Sequence, residues 1–287
     1  MSQPFIAIIQ HLRFPFSILL LPIFLFSLSE INLDLVNHVD VWILFFILHF
    51  LVYPSSNAYN SLQDQDKGSI GLIKKPLPAT IELKLVTIIF DIVAILISLY
   101  INSITAIGVL VYIVFSRLYS FREIRLKKYP IIGFLTVFVF QGFWIYCLVH
   151  FSITQDQPLS ILNAIVASCL IGAMYPLSQI YQHQQDKDDG VMSISYTLGY
   201  RGTFVFSGIL FIIGSALFSI DHLNQHREID IIIFSISQLP IISYFLFWFY
   251  QVWKDELKAN FEHTMRMNII ASVCMNTCFV ILFFMKR

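Results

Sequence analysis

The sequence predicts an all-α integral membrane protein with nine transmembrane helices, in two pseudo-repeated halves around a central cavity. Three observations carry that expectation. Of the 287 residues, 57% are hydrophobic and 13% charged, with a mean hydropathy of +0.74, whereas about a quarter of a soluble domain is charged. Apolar runs of the roughly 20 residues needed to cross a bilayer recur along the chain. One polar stretch is also written twice, each time where an apolar run ends.

Taken in order, the spans fall at roughly 12–30, 41–59, 81–101, 103–119, 131–151, 159–181, 202–220, 230–252 and 267–285. Residues 14–29 after Arg13 have the length of a signal-peptide core. No small-residue cleavage site follows them and further spans do, so a retained first helix is expected. The junction from third to fourth span, around Asn102, offers only a short polar break. The whole of 1–287 is read as a single transmembrane domain.

The connections after spans 2, 4, 6 and 8 are long and charged, and the others carry almost no basic residue. Of the 18 Lys and Arg, only Arg227, Lys286 and Arg287 fall on the side away from the polar stretches. Cytoplasmic loops concentrate Lys and Arg, so the N-terminus and the polar loops are expected in the cytoplasm. An equal 18 Asp and Glu balance the bases; no nucleic-acid partner is expected. Cys147, Cys169, Cys274 and Cys278 all lie in apolar runs without CxxC spacing, as packing residues would.

The repeat runs from Tyr53 to Gly68 and again from Tyr175 to Gly190. Laid over each other without a gap, Tyr53, Pro54, Ser56, Tyr59, Gln63, Asp64, Asp66 and Gly68 meet identical residues, and Asn57 and Asn60 meet Gln179 and Gln182. A duplicated stretch implies two structurally equivalent halves facing one site. If each span continues helically into its stretch, Asn57, Asn60 and Asp64 share a face, as do Gln179, Gln182 and Asp186. Carboxamide and carboxylate oxygens are hard ligands that suit Mg²⁺, which is held by one or two carboxylates with waters and phosphate oxygens. Lys74, Lys75, Arg122, Arg125, Lys127 and Lys128 could complement the remaining charge of a diphosphate. The apolar interior below, in a chain with 28 phenylalanines, could receive a hydrocarbon tail.

The two stretches resemble the acidic motifs of the UbiA superfamily of intramembrane prenyltransferases. The family's first motif is Asn-Asp-x-x-Asp-x-x-x-Asp followed by Arg-Pro-Leu. Asn60 and Asp64 match it, Ser61 and Gly68 replace two aspartates, and Lys75-Pro76-Leu77-Pro78 is similar to the Arg-Pro-Leu segment. In the second motif Asp186, Gly190, Ser193, Leu198 and Gly199 sit at family positions, with Gln182 for the first aspartate. Tyr119-Ser120 and Arg125-Leu126-Lys127 are similar to the family's loop after helix 4. The resemblance covers nearly the whole chain.

It implies Mg²⁺-dependent transfer of a prenyl group from an isoprenoid diphosphate to an aromatic or other lipid-soluble acceptor in the membrane. Asp64 and Asp186 would be catalytic. Asn60, Asp64, Asp66 and Asp186 would hold magnesium. Asn57, Asn60, Gln182, Lys75, Tyr119, Arg125, Lys127 and Tyr181 would bind the donor. A terpene cyclase of the same superfamily and a non-catalytic isoprenoid-binding protein or transporter are the alternatives. Inverted repeats would place the motifs near the midplane from opposite sides, whereas both open here on one membrane face.

Asp91, midway along the third span, is either a functional acid or one paired to a neighbouring helix. His49, Gln141, Arg117, Asn268 and Asn276 are expected to hydrogen-bond between helices. Cys274 and Cys278 share a face for packing, and His183 either contacts diphosphate or is a solvated loop histidine, the second being expected.

Overall fold

A computed structural model describes residues 3–65 and 68–285 of the chain. Among these residues nine helices are long and apolar enough to cross a membrane. They are α1 (Phe5–Ser29), α2 (His38–Asp64), α3 (Glu82–Ile101), α4 (Ser103–Ser120), α5 (Pro130–Ile153), α6 (Ile161–Asp188), α7 (Ile194–Asn224), α8 (Glu228–Lys254) and α9 (Phe261–Met285). Apart from an isolated bridge between Ile70 and Ile73, the described residues form helices and turns. All four cysteines are free thiols.

Number and order agree with the hydropathy reading, but most helices run past its limits. Hydropathy marks where the apolar core ends, whereas a helix continues until its terminal backbone groups find other partners. Asn37 caps α2 through the Val39 amide, and Ser160 caps α6 through Asn163. Asn102, fully extended at φ −171° and ψ 170°, ends α3 and caps α4 by accepting from the Thr105 amide at 2.7 Å. One residue therefore suffices for the reversal. α1 breaks at Arg13, which is left-handed at φ 49°.

The chain divides into two compact units. The first holds the residues up to Leu21, Leu33–Leu126 and Leu148–Asp156. Leu12, Ala58 and Leu83 form a buried cluster there, packed by Leu62 and Phe90. The segment after the first motif is tied to α1, with the Leu77 carbonyl 2.8 Å from His11 Nε2 and its amide donating to Gln10 Oε1 at 3.0 Å. On α3, Ile88, Ile92, Leu96 and Leu99 are exposed along one side, as a lipid-facing surface requires.

The second unit holds Pro22–Asn32, Lys127–Cys147 and the chain from Gln157 onward. Its core is aromatic: Phe26 stacks on Phe279 at 4.6 Å and Phe218 on Phe234 at 4.1 Å. α5 widens to a π-helix over Phe138–Phe143, where Ser168 of α6 enters its backbone ladder. The Ser168 hydroxyl donates to the Phe138 carbonyl at 2.7 Å and accepts from the Phe143 amide at 2.9 Å. Gly142 makes the approach possible, since a Cβ there would lie 2.7 Å from the Ser168 nitrogen. Gly142→Ala should therefore cost about 1–3 kcal/mol by overpacking, read as a lower thermal midpoint in detergent. An unchanged midpoint would show that α5 and α6 can separate at no cost.

Candidate functional site

In the first unit the motif is the C-terminal end of α2, and it is helical through Asp64. A π-helix over Ile47–Val52 precedes it. Pro54 has no amide hydrogen, and its ring crowds the carbonyl four residues back; the wide turn lies where that conflict arises. The helix ends at Gln65, left-handed at φ 53°, whose amide donates to the Ser61 carbonyl at 3.0 Å. Asn57, Asn60 and Asp64 therefore share one face, as the spacing predicts. Asp66 lies outside the described residues.

α4 runs beside this helix and meets it in step. Ser116 donates to Ser56 at 2.8 Å, and Asn60 Nδ2 donates to Ser120 Oγ at 2.9 Å. Arg125, buried and left-handed at φ 47°, donates from Nη2 to Asp64 Oδ1 at 3.0 Å. Arg122 donates to the Gln63 carbonyl at 2.5 Å and the Asp64 carbonyl at 3.3 Å. Arg13 donates to the Asn57 carbonyl at 2.9 Å. The Asn57 amide nitrogen is buried with no hydrogen-bond partner, a state that native proteins seldom leave unfilled. Tyr119 is half-buried and Lys75 exposed.

In the second unit the helix does not continue evenly. α6 tightens to a 3₁₀ turn over Ile180–Gln182 before resuming at His183–Asp188. A 3₁₀ turn advances about 120° per residue rather than 100° and eclipses residues three apart, so Gln179 and Gln182 stay on one side of the helix, with Asp186 one turn further on. Gln179 turns inward, donating to Tyr175 Oη at 2.8 Å, and its amide oxygen is buried without a partner. Gln182 and Asp186 are half-buried. Tyr181 packs edge-on against Phe261 at 5.2 Å. Lys127 is half-buried, and the neighbouring Lys128 carbonyl accepts from the Met192 amide at 3.3 Å.

Gly190 has φ 66°, and the Val191 amide donates back to the Asp186 carbonyl at 2.8 Å. This is the glycine-ended Schellman closure, so Gly190 serves the backbone at that point. His183 is not a solvated loop residue. It is buried in the first turn after the 3₁₀ segment, stacked 4.7 Å from Tyr200 with Nε2 2.8 Å from Ser195 Oγ. Ser195 in turn lies 3.0 Å from Thr203 Oγ1, which donates to the Gly199 carbonyl at 2.7 Å, where α7 kinks. Sequence reading missed His183 because its partners come ten and more residues later.

These residues suit magnesium better than a metal needing an all-protein cage. No group of three or more His, Cys, Asp or Glu suited to a metal occurs among the described residues. Hard oxygens of Asn60 and Asp64 beside guanidinium groups fit an ion that keeps waters and phosphate oxygens as its other ligands.

Among the described residues, nine apolar helices, with an oxygen- and amide-bearing motif ending the second and the sixth, define a multi-pass membrane protein. The chain belongs to the UbiA prenyltransferase family, whose model matches residues 19–270. A UbiA homologue from Archaeoglobus fulgidus, solved with GPP and Mg²⁺, has a TM-score of 0.71 at 17% identity and covers 96% of this chain and 99% of its own. The same homologue bound to DMAPP and Mg²⁺ gives 0.70 at 18%, with the same coverage. A digeranylgeranylglyceryl phosphate synthase structure gives 0.61 at 19%, covering 99% of this chain and 98% of its own. At these identities the likeness establishes the fold. No curated protein sequence matches the chain.

Proposed function

We propose that the chain transfers a prenyl group from an isoprenoid diphosphate to an aromatic or other lipid-soluble acceptor within the membrane. The observation that carries this reading is the end of α2. There Asn57, Asn60 and Asp64 share a face, and Arg13, Arg122 and Arg125 all donate to that stretch. Family membership and relatives solved with prenyl diphosphates and Mg²⁺ support it.

Asp64 and Asp186, with Asn60 and Asp66, are the proposed magnesium ligands. Magnesium bound there supplies electrostatic stabilisation of the departing diphosphate. Arg125 and Lys127 hold diphosphate oxygens, assisted by Lys75, Tyr119 and Tyr181. Asn57 and Gln182 supply further hydrogen bonds. The allylic carbon–oxygen bond breaks with its electron pair leaving on the diphosphate, and the acceptor atom that captures the cation releases a proton. In this reading residues 1–287 act as one domain, with the N-terminus and motif loops in the cytoplasm, which the Lys and Arg asymmetry supports.

The test is magnesium-dependent thermal stabilisation of the purified protein by a series of prenyl diphosphates. A ligand at a hundred times its Kd stabilises the folded state by about 2.7 kcal/mol. A rise in midpoint with at least one chain length, abolished by chelator, is expected. No shift with any length would overturn the reading. Supplying candidate acceptors then separates transfer from cyclisation, because release of a cyclic hydrocarbon without acceptor decides for a cyclase.

A further inference from the structure

α3 and α4 bury an ion pair that prenyl transfer, as described above, does not use. Asp91 lies midway along α3 and Arg117 in the last turn of α4, with side-chain exposures of 16% and 19%. The guanidinium donates to Asp91 Oδ2 through Nη2 and, at 3.1 Å, through Nε. Taking two charges out of water is costly, and charged residues inside spans usually serve function.

Both partners converge on the motif helix. Ser55 Oγ donates to Asp91 Oδ1 at 2.7 Å and accepts from Arg117 Nη2 at 2.6 Å. One turn further along, the Tyr59 ring lies under the same guanidinium, 4.3 Å from its centroid, as a cation–π contact. Ser55 and Tyr59 form one i, i+4 row of α2. Asn60 and Asp64 form the next, about 100° around the axis. The first row is gripped by Arg117 and Asp91; the neighbouring one is met by Ser120 and Arg125. Two rows held at different azimuths prevent a helix from turning about its own axis, which one row cannot do.

We infer that Asp91 and Arg117 are positioning residues that set the rotation of the last turns of α2, so that Asn60 and Asp64 present their oxygens together to magnesium and the donor diphosphate. The inference rests on the function proposed above.

The experiment uses the full chain and prenyl diphosphates from dimethylallyl to geranylgeranyl, and it titrates Mg²⁺. It reads the half-saturating Mg²⁺ concentration for thermal stabilisation, and donor KM separately from kcat. Asp91→Asn and Arg117→Gln should each raise half-saturating Mg²⁺ about tenfold, as outer-shell changes do for metals. The exchanged pair, Asp91→Arg with Arg117→Asp, should recover most of that loss. Ser55→Ala and Tyr59→Leu keep the pair but cut its links to α2; they should raise the same concentration severalfold, and they cover the case in which a stranded charge stops folding. If those two variants lower only the thermal midpoint and leave Mg²⁺ and donor response unchanged, the pair is scaffold and the inference fails alone. A wild-type protein with no response to any donor and Mg²⁺ overturns the proposed function as well.

Discussion

Replacing Asp64 by alanine should lower prenyl transfer at least about a hundredfold, the usual cost of removing one group that stabilises developing charge. Asp186→Ala should do the same. Neither carboxylate is needed for its helix to end correctly. α2 closes through the left-handed Gln65 and its main-chain bond to Ser61, and α6 closes through Gly190 and the Val191 amide. Asp64 does have a structural partner, since Arg125 loses its ion pair in the alanine variant. Asp64→Asn separates the two effects, because an amide oxygen still accepts from Arg125 but carries no charge. Equal loss of turnover in Asp64→Asn and Asp64→Ala, in protein with an unchanged thermal midpoint for the asparagine variant, is the expected result. Full activity in both Asp64→Ala and Asp186→Ala would remove this site from consideration.

The largest loss of stability is expected from Arg227→Met. Arg227 donates in a fork to Glu30, at 2.6 and 3.1 Å, and through Nε to Asp230 at 2.6 Å. Burial pulls the Arg227 pKa down, but the bonds to Glu30 and the Asp230 charge outweigh it and the pKa rises. His222, fully buried and stacked on Phe218, brings Nε2 to 3.5 Å from Glu30. Removing the guanidinium strands two carboxylates whose side chains are only 8% and 14% exposed. The cost should be about 3 kcal/mol, the low end for breaking a buried pair, because Arg227 keeps 17% of its side-chain surface. Adding Glu30→Gln should recover part of it, since coupled sites are not additive. Denaturation of the three proteins in detergent measures both quantities. A loss below about 1 kcal/mol would mean that water screens the cluster as it does a surface pair.

Span number and order were readable because a bilayer demands long apolar runs whatever they pack against. The first motif was readable for a local reason: Asn57, Asn60 and Asp64 need only a continuous helix to share a face. In the second, the spacing of Gln179 and Gln182 was readable in the same way, whereas the 3₁₀ turn at Ile180–Gln182 leaves no mark in hydropathy. Asp91 was open between function and pairing, and the choice required knowing that Arg117 of the next span reaches it. Arg13, Ser116 and Ser120 touch the motif from other helices, and tertiary contacts of that kind have no periodicity to betray them. His183 sits in a polar run that resembles a loop; its burial comes from Tyr200 and Ser195.

The wide turn at Ile47–Val52 changes how positions along α2 are to be counted. In an α-helix seven residues make nearly two turns, so stepping back from Asn57 lands on Phe50 and suggests that it lies under the same face. A π turn bonds i to i+5 and takes up an extra residue, which displaces everything upstream by about one position. Mutational scans that look for donor chain-length control beneath Asn57 should therefore be phased separately on the two sides of Tyr53. A scan phased as one helix would assign the effect to the neighbour of the residue that causes it.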